Sequence, residues 1–552
     1  MSNNYVLIKS RDTLHAIIKR IDEKKNINKN TNLGIYLHKK KVKGILSLGD
    51  LRRLILKNNK NNKVLRFINK YPIKIFDKLN YKNLKEQEIA VKKILQNKLN
   101  NVLVLKKNKN FLKTLNYDQI KDNINYKSIC IAGLGHIGIP LVAHILKKTE
   151  ILTAYDNDLR KIKNISKLQF NFFEPGLNPL MKYYLVNNKI NLVNSLKNSN
   201  SNIFIICIGQ DVINNKINSK NIINCLKVVA KKIFKDNLII IRGTTQIGFC
   251  RKIAKSILEK YSGLKCGKDF YLSHMSERIV EGKALEELEN LPQLVSGYSS
   301  ECLKEALKFS NQFFKNSIEL QSLEESEMIK LVSNSYRDLN FAFSNEISRV
   351  SNTLGLSGED LIQKANSGYP RNNIAKPSLG VGGYCLPKDT VLFENNLINY
   401  KASYKIGKIS REVNNKITKF FADKIINYLK KKSKVLIIGI AFKGIPETID
   451  TRNSPSTEFA KSLRKKGVIC NFFDVKGSEI RQNTKQKDII LNLKKINVYD
   501  GIVFANNNKK YQELFLLNIK KNNSLNKKYI FDTSNIINES IAKSYNYEYL
   551  KI

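Results

Sequence analysis

The sequence predicts an α/β protein with two doubly wound parallel sheets, a helical central domain between them and a smaller α+β domain at the N-terminus. Short apolar runs alternate with amphipathic stretches over residues 126–320, which is typical of parallel strands joined by crossover helices. One long helical pattern follows from Glu324 to Leu354 and stops at Gly355. A second alternating region opens with the apolar run at 434–438. The chain therefore divides into four predicted domains, which span residues 1–122, 126–320, 321–430 and 431–552.

Net charge narrows the classes of binding partner. The 552 residues include 96 Lys and Arg against 47 Asp and Glu, which gives a formal net charge of +49. Lysines dominate this excess and are spread along the whole length, without a recognisable nucleic-acid-binding module. We therefore expect a solvated basic surface that suits an anionic substrate, and no specific nucleic-acid binding.

Hydrophobic patterning and cysteine usage indicate a cytoplasmic protein. The hydrophobic content is 42%, in the globular range, and no apolar run reaches the ~18 residues of a membrane span. The N-terminal residues lack the apolar core of a secretory signal. Eight cysteines are widely spaced with no Cys-x-x-Cys pair, which indicates neither a disulfide framework nor a metal site. We expect no membrane association and no metal.

The first predicted domain contains two similar copies of a strand and helix pattern. In the first copy, residues 33–37 and 42–46 form strands and a helix begins near Asp50. In the second copy, residues 89–95 form a helix and residues 102–105 a strand. The repetition predicts an α+β domain built from two halves.

The end of the first copy resembles a CBS motif. Its residues 44–53 read Gly-Ile-Leu-Ser-Leu-Gly-Asp-Leu-Arg-Arg, and residues 1–122 are similar to a tandem CBS pair. The resemblance implies a regulatory domain with an adenine nucleotide as ligand, whose ribose contacts Ser47 and Asp50. The second copy lacks the Gly-Asp signature, so a structural or dimerising appendage fits the sequence equally well.

A glycine-rich turn in the second domain predicts a dinucleotide site. Gly133-Leu134-Gly135-His136-Ile137-Gly138 lies between an apolar run and a helical stretch. The first glycine permits a tight turn, the second lets the backbone approach a pyrophosphate, and the third lets the helix pack on the strand. The next strand ends at Asp156, about 20 residues on, where an acidic side chain binds the ribose hydroxyls and disfavours a 2′-phosphate. We therefore predict a Rossmann-like domain that binds NAD.

The loop at residues 380–389 carries the side chains best suited to covalent chemistry. It reads Gly-Val-Gly-Gly-Tyr-Cys-Leu-Pro-Lys-Asp, and Gly382 and Gly383 let its backbone approach a ligand. The proline two residues after Cys385 suits the first turn of a helix, and a cysteine at a helix N-terminus has its thiolate stabilised. Asp389 would lie on the same helix face. Without further signals, an inert buried thiol would be the default interpretation of this cysteine.

The long helix carries Lys330 and Asn334, which lie four residues apart and therefore on one face. A lysine and an amide that converge on one point can hold a developing oxyanion. On their own, these two residues would be read as a solvated lysine and a helix-surface amide.

With these motifs in place, the chain resembles the nucleotide-sugar 6-dehydrogenases, which include UDP-glucose, UDP-N-acetylmannosamine and GDP-mannose dehydrogenases. The resemblance covers about residues 126–535 and rests on motifs that occur in family order. They are the turn at 133–138, Glu174-Pro175-Gly176-Leu177, Gly243-Thr244-Thr245, Glu277-Arg278, Glu281-Gly282, Lys330 with Asn334, the loop around Cys385, Gly439-Ile440-Ala441-Phe442-Lys443 and Asp450-Thr451-Arg452-Asn453-Ser454-Pro455.

The resemblance implies a four-electron oxidation of a sugar C6 alcohol to a carboxylate, with two NAD+ used in succession. Cys385 attacks the intermediate aldehyde, and the thiohemiacetal becomes a thioester that water hydrolyses. Lys330 and Asn334 hold the C6 oxygen. Asp389 positions or activates water, and Glu277 is a second acid/base group.

The resemblance also assigns residues to the two ligands. The residues implied to bind NAD+ are Gly133, Gly135, His136, Ile137, Gly138, Asp156, Arg160 and Thr244. The residues implied to bind substrate are Arg278, Arg337, Gly382, Gly383, Lys443 and Arg452.

The long helix also bears on the substrate and the oligomeric state. Residues 334–346 look most like the branch that acts on UDP-N-acetylhexosamines, in which an arginine follows the asparagine by three residues, as Arg337 does here. Because the family dimerises through this helix, we expect a homodimer. We also expect Arg337 to contact substrate, either in its own subunit or across the dimer. An exposed arginine paired to Asp338 or a nearby carboxylate is the alternative. We predict UDP-N-acetylmannosamine or UDP-N-acetylglucosamine as substrate, for polysaccharide precursor synthesis, with UDP-glucose as the alternative.

The sequence departs from the family pattern at several places. Cys207-Ile208-Gly209-Gln210 replaces Val-Pro-Thr-Pro, Gln246-Ile247 replaces a proline pair, and Ser276 replaces the proline before Glu277. The departures at 207–210 and 276 are the only support for a second class, a nucleotide-sensing homologue without turnover. A third class, a two-electron hydroxyacid dehydrogenase, needs no nucleophilic cysteine.

Overall fold

The computed structural model describes residues 5–27, 33–47, 50–51, 53–54, 68, 74–76, 102–105, 111–115, 128–197, 199–398, 401–523 and 526–551. The chain falls into two compact units, Met1–Lys127 and Ser128–Ile552. No helix in the described part of the chain is long and apolar enough to cross a membrane.

The first unit contains two three-stranded sheets with the same layout. In each sheet the first strand is parallel to the second, and the second is antiparallel to the third. The strands are β1 (Tyr5–Ile8), β2 (Leu33–His38), β3 (Lys41–Ser47), β4 (Lys74–Phe76), β5 (Val102–Leu105) and β6 (Phe111–Leu115). The second set begins 69 or 70 residues after the first. The strands predicted at 33–37, 42–46 and 102–105 are present, whereas the helix predicted at 89–95 lies outside the described residues.

Helix α1 (Leu14–Ile27) supplies most of the core of the first sheet. Leu14, Ile17 and Ile21 recur every three or four residues, so they share one helix face, and all three are fully buried. They pack with apolar residues of the strands, namely Val6, Ile8 and Leu46.

The second unit opens with a six-stranded parallel sheet. Its strands and an adjoining hairpin are β7 (Ile129–Ala132), β8 (Leu152–Tyr155), β9 (Ile190–Val193), β10 (Ile203–Ile206), the hairpin β11 (Asp211–Ile213) and β12 (Lys216–Asn218), β13 (Leu238–Ile241) and β14 (Tyr271–His274). The strand order is β9-β8-β7-β10-β13-β14, the 3-2-1-4-5-6 order of dinucleotide-binding sheets. Ile129 and Ile131 enter the core on one face, and Cys130 and Ala132 enter the core on the other. Because β7 is buried on both faces, its sequence is continuously apolar.

Helices cover both faces of this sheet. They are α2 (Gly138–Ile145), α3 (Leu159–Ser166), α4 (Leu177–Val186), α5 (Lys220–Ala230), α6 (Lys255–Ser262), α7 (Ala284–Asn290) and α8 (Ser300–Phe313). A π-helical turn, Cys250–Ala254, precedes α6. A small parallel pair, β15 (Gln293–Val295) and β16 (Ser317–Glu319), flanks α8.

The helical region that follows is built around one long helix, α9 (Leu323–Thr353), of 31 residues. The Ser322 side chain caps its N-terminus by accepting a hydrogen bond from the Glu325 amide (3.1 Å), and the chain turns at Gly355 with φ +74°. The long helix predicted from the sequence is therefore confirmed. It packs against α11 (Cys385–Ile398) and α12 (Lys405–Ile426), and α10 (Gly358–Asn366) follows it in the chain.

The C-terminal region repeats the first parallel sheet. Its elements are β17 (Lys434–Ile438), α13 (Pro455–Lys465), β18 (Ile469–Phe473), α14 (Gly477–Thr484), β19 (Ile489–Ile490), β20 (Gly501–Phe504), α15 (Lys510–Asn518), β21 (Tyr529–Asp532), α16 (Glu539–Ser544) and β22 (Glu548–Lys551). The strand order is β19-β18-β17-β20-β21-β22, again 3-2-1-4-5-6. The prediction of two doubly wound sheets on either side of a helical region is therefore confirmed.

Candidate active site

The glycine-rich turn adopts a backbone path that requires glycine. Gly133 has φ +94°, and a Cβ there would lie 2.6 Å from Ile208 Cγ1. A Cβ on Gly138 would lie 1.9 Å from the Gly133 carbonyl oxygen, so α2 begins directly against the turn. A Cβ on Gly135 would meet no described atom within 4 Å, which leaves room in front of the turn for a ligand. The turn therefore fits the pyrophosphate of NAD at the N-terminus of α2.

Asp156 lies at the end of β8, as predicted, but its carboxylate is partly engaged. Oδ2 accepts hydrogen bonds from the Leu134 amide (2.9 Å) and the Lys161 ammonium (2.8 Å). Oδ1 accepts one from the Asp158 amide (3.1 Å) and keeps a lone pair for a ribose hydroxyl. Arg160 is exposed in the first turn of α3.

Two loops that depart from the family pattern are joined to each other. Gln210 follows β10, and its amide donates to the Thr244 carbonyl (2.8 Å). The Gln246 amide, after β13, donates to Gln210 Oε1 (2.5 Å), and Gln210 Nε2 donates to Ser219 Oγ (2.6 Å). The two glutamines that replace family prolines therefore hold each other in place, which the sequence alone did not predict.

Glu174 fixes a turn of the NAD-binding region that lies against the C-terminal region. Its carboxylate accepts hydrogen bonds from the amides of Gly282 and Leu285, both at 3.0 Å. Next to this turn, the Lys443 ammonium donates to the Glu281 carbonyl oxygen (2.9 Å). The two parallel-sheet regions are thus linked beside the cleft.

Cys385, Asn334 and Asp389 meet where α9 packs on α11. Helix α11 begins at Cys385, as predicted, and Asp389 follows one turn later. Asn334 Nδ2 donates to Asp389 Oδ2 (2.6 Å), and Lys388 forms an ion pair with Asp389 Oδ1. Asp389 is fully buried. Its carboxylate is therefore held from both sides.

Lys330 lies one turn before Asn334 on α9. Among the described residues, its ammonium has no hydrogen-bond or ion-pair partner, and its charge acts on Cys385 and His136. The lysine is therefore available to a substrate oxygen close to the thiol.

The prediction of a stabilised Cys385 thiolate is wrong for the resting protein. The thiol faces the cleft, where surrounding protein atoms displace water and raise its pKa, and the Asp389 charge raises it further. Lys330 and Lys388 lower it but do not compensate. The surroundings of Cys385 therefore favour the thiol over the thiolate.

Glu277 is held as an anion, which argues against its predicted acid/base role. It forms an ion pair with the fully buried Arg242, and its Oε1 accepts from the amides of Arg278 (2.8 Å) and Ile279 (3.1 Å). Burial would raise the pKa of Glu277, but Arg242 and these hydrogen bonds outweigh burial and keep the pKa below its usual value. Arg242 also donates to Gln293 Oε1 (2.9 Å).

A cavity of about 220 Å³ lies between α9, the loop that contains Gly380 and Gly382, and the C-terminal sheet. Three predicted substrate residues, Arg337, Gly382 and Lys443, line it together with Asn506 and Asn507. Burial lowers the pKa of Lys443 to about 8. The cavity therefore presents cations and amides, which suit a nucleoside diphosphate.

The other predicted substrate residues, Arg278, Gly383 and Arg452, are not among the residues that line this cavity. Arg278 donates to the Pro292 carbonyl oxygen (2.6 Å), and Arg452 pairs with Asp450. Gly383 has φ +79°, and a Cβ there would lie 2.9 Å from the Phe442 ring. Packing against the C-terminal region therefore requires a glycine at position 383, whether or not a ligand approaches its backbone.

In the first unit, Ser47 and Asp50 are bonded to each other. Ser47 Oγ donates to Asp50 Oδ2 (2.6 Å), and the Asp50 amide donates back to Ser47 Oγ (3.2 Å). Arg53 pairs with the second carboxylate oxygen of Asp50 (2.7 Å). A ribose would have to compete with these local bonds.

A 3-2-1-4-5-6 sheet with a glycine turn and an acid after its second strand, facing a cysteine and a lysine across a cleft, defines an NAD-binding dehydrogenase. The known sequence patterns of one family match most of the chain. They are the NAD binding domain at residues 127–315, the central domain at 324–416 and the UDP binding domain at 436–539. The chain belongs to the UDP-glucose/GDP-mannose dehydrogenase family, and it is an NAD-dependent nucleotide-sugar dehydrogenase.

Individual relatives agree with this assignment. The chain is 30% identical over 420 residues to a UDP-N-acetyl-D-mannosamine dehydrogenase of Pyrococcus horikoshii, which covers 74% of this chain and 96% of the relative. It is also 30% identical over 350 residues to a UDP-N-acetyl-D-mannosamine dehydrogenase of Campylobacter jejuni, and this match covers 61% of this chain and 84% of the relative. A solved structure of the Pyrococcus horikoshii UDP-D-ManNAc dehydrogenase superposes with a TM-score of 0.67 at 27% identity, over 77% of this chain and 99% of that one.

Proposed function

We propose that the protein oxidises the C6 alcohol of UDP-N-acetylmannosamine to the corresponding uronic acid, through a thioester on Cys385, and so supplies a precursor for polysaccharide synthesis. The observation that carries this proposal is the meeting of Cys385, Asn334 and Asp389 beside an unpaired Lys330. The names of the similar proteins support the choice of sugar. UDP-N-acetylglucosamine and UDP-glucose are the alternative substrates.

The chain's own residues account for the steps at C6. Lys330 and Asn334 flank the C6 oxygen and stabilise its negative charge. When bound, NAD+ would supply the hydride acceptor, once for the alcohol and once for the thiohemiacetal, and the hydroxyl proton released in each oxidation would pass to water. As the Cys385 sulfur bonds to the aldehyde carbon, its proton passes to the new alkoxide oxygen, because the raised pKa disfavours a free thiolate. Water then cleaves the thioester and returns the thiol.

Asp389 and Glu277 act in this scheme as fixed anions. Both oxygens of Asp389 are occupied by Asn334 and Lys388, so Asp389 orients the amide that faces the substrate. Glu277 is neutralised by Arg242. We assign neither residue a proton-transfer step.

We infer that the protein forms a homodimer through α9. An apolar stripe, repeating every four or seven residues, runs along the exposed face of this helix, and its members are 41–69% exposed. They are Met328, Val332, Tyr336, Phe343, Val350 and Leu354. A contiguous apolar surface of this kind is typical of a protein interface, and a second copy would cover it with the same stripe.

We also propose that the first unit binds an adenine nucleotide and regulates the enzyme. The repetition of β1–β3 as β4–β6 supports a tandem arrangement like that of a CBS pair. A thermal shift of the full chain on addition of ATP or AMP, lost in Asp50→Ala, is the expected result. No shift with either nucleotide would favour a structural appendage.

We place the reaction in the cytoplasm, because all eight cysteines are free. The proposed activity is tested by incubating the full chain with NAD+ and each of the three UDP-sugars and identifying the product by mass spectrometry. The uronic acid of UDP-N-acetylmannosamine is expected to form with the highest kcat/KM. Accumulation of the aldehyde, or no turnover of any of the three sugars, would contradict the proposal.

A further inference from the structure

A buried acid that the proposed mechanism does not use lies at the start of α9. Glu327 is 1% exposed, and no cation pairs with its carboxylate among the described residues. Its Oε1 accepts hydrogen bonds from the Cys250 amide (2.8 Å) and the Thr245 hydroxyl (3.3 Å), and its Oε2 accepts one from the Gly248 amide (2.5 Å). One carboxylate therefore holds the loop that follows β13 at three points.

That loop lies on the side of the sheet where the nicotinamide half of NAD+ must extend. Asp156, at the end of β8, marks the adenosine side, and the glycine turn after β7 marks the pyrophosphate. The remaining half of the dinucleotide therefore crosses the ends of β10 and β13. The loops after these two strands are joined by the bonds between Gln210, Thr244 and Gln246.

Glu327 also belongs to the helix that carries the groups at the substrate oxygen. Lys330 is three residues later and Asn334 seven residues later on α9. The preceding residue, Ser326, fastens the same turn to the end of β14 through its hydroxyl and His274 Nδ1 (2.8 Å). A displacement of the loop relative to α9 would therefore change the distance between the hydride acceptor and the sugar C6.

We propose that Glu327 is a positioning residue that couples the nicotinamide-side loop to the catalytic helix. The inference rests on the proposed function only for the identity of the sugar, since the NAD-binding region is shared by the whole family. Hydride transfer depends on sub-ångström alignment of donor and acceptor, so a loosened loop is expected to reduce kcat more than binding of the UDP-sugar.

The role requires an ionised carboxylate. Three donors, the amides of Cys250 and Gly248 and the hydroxyl of Thr245, converge on the Glu327 carboxylate. A protonated Glu327, or a glutamine in its place, would point a donor at one of these donors. Burial raises the pKa of Glu327 to about 7 and the Glu324 charge raises it further, although the hydrogen bonds from Cys250 and Gly248 lower it. The other groups that face it stay in one state near pH 7: Cys250 and Arg251 have raised pKa values, and His274 has a pKa of about 4.

The test compares Glu327→Gln, which keeps the shape, with Glu327→Asp, which keeps the charge. The matched control is Glu324→Gln. Glu324 lies one turn earlier on α9, and its carboxylate pairs with Arg251 (2.6 Å). At pH 8.5 we expect Glu327→Gln to lower kcat/KM for NAD+ about 10- to 100-fold and to leave the Kd for UDP within twofold. Glu327→Asp should be the more active of the two, and Glu324→Gln should remain within threefold of the parent.

A pH profile separates positioning from general structural damage. In the parent, kcat/KM for NAD+ should fall as pH drops through about 7, because protonation removes an acceptor, and this limb should be absent from Glu327→Gln. Binding of NADH, followed by its fluorescence, gives the same comparison without turnover and so does not depend on the sugar. Equal activity of Glu327→Gln and parent, Gln more active than Asp, or parallel losses of UDP and NADH affinity would each overturn the proposal.

Discussion

At the scale of single residues, the site combines a neutral thiol with fixed charges around it. Cys385 opens α11, yet its pKa is raised because the cleft walls displace water. Lys330 on the neighbouring helix is a cation with no hydrogen-bond or ion-pair partner among the described residues. In the proposed mechanism, the thiol stays protonated until a substrate carbonyl arrives beside the lysine.

Replacement of the nucleophile should separate the two oxidations. In Cys385→Ala the alcohol can still lose one hydride, but no thiohemiacetal can form, so we expect no uronic acid and at most one NADH per sugar. Acid detection by mass spectrometry, with Cys470→Ala as the matched control of a buried cysteine, checks this result. Acid formation by Cys385→Ala at more than about 1% of the parent rate would remove the thioester from the scheme.

The cavity lysine gives a pH prediction for binding. Burial lowers the pKa of Lys443 to about 8, so its charge is present below that pH and is lost above it. Because the charged form attracts a diphosphate, the Kd for UDP should rise about tenfold between pH 7 and pH 9.5, as measured by calorimetry. Lys443→Met should bind UDP weakly with no such rise, and a pH-independent Kd in the parent would contradict the assignment.

The sequence indicates which residue types matter at this scale but not which are free to act. The spacing of Lys330 and Asn334, and of Cys385 and Asp389, follows from helix periodicity and is therefore predictable. The buried partner of Glu277, by contrast, is Arg242, which follows β13 and lies 35 residues earlier in the chain. Lys388 is visible beside Asp389 in the sequence, but only folding shows that its ammonium is buried against that carboxylate.

At the scale of elements, α9 organises the site. Its successive turns carry Glu327 toward the loop after β13, then Lys330 and Asn334 toward α11, and then Asp338 toward Arg411 of α12 (2.6 Å). The prediction of one long helix rested on the helical pattern from Glu324 to Leu354 and on the terminal Gly355. The helical periodicity of α9 also places the apolar stripe from Met328 to Leu354 on the face of the helix that is exposed.

That apolar face gives a prediction about assembly. Two charges on the stripe, in the double variant Tyr336→Glu and Phe343→Glu, should convert a dimer to a monomer, because burying unpaired carboxylates is costly. Molar mass by light scattering measures the outcome. Val186→Glu, on the exposed apolar end of α4, is the control and should leave the mass unchanged. A dimer that persists in the double variant would place the interface elsewhere.

At the scale of the whole molecule, the second unit contains two sheets of identical strand order, one before and one after the helical region in the chain. Asp474 follows the second strand of the C-terminal sheet and accepts from the Ile440 amide (3.0 Å), as Asp156 accepts from Leu134 in the first sheet. Alternation of apolar runs predicted this architecture because parallel sheets need crossover helices. Which loops meet across the cleft depends on long-range packing, which sequence periodicity does not encode.

The first unit should be dispensable for catalysis. A relative matched over 96% of its own length covers 74% of this chain, and the family domains begin at residue 127, so the relatives consist almost entirely of the second unit. We expect residues 128–552 to fold alone and to keep kcat within threefold of the full chain, measured as NADH formation. Any response to ATP or AMP should disappear. An unfolded or inactive truncation would contradict the division into independent units.

The central claim is that one sugar is oxidised twice at Cys385 without release of the aldehyde. The most direct test is the amount of NADH formed by the full chain from limiting UDP-N-acetylmannosamine in excess NAD+. We expect two NADH per sugar, since both the alcohol and the thiohemiacetal yield a hydride. One NADH per sugar would contradict it and would indicate a simple alcohol dehydrogenase on the same fold.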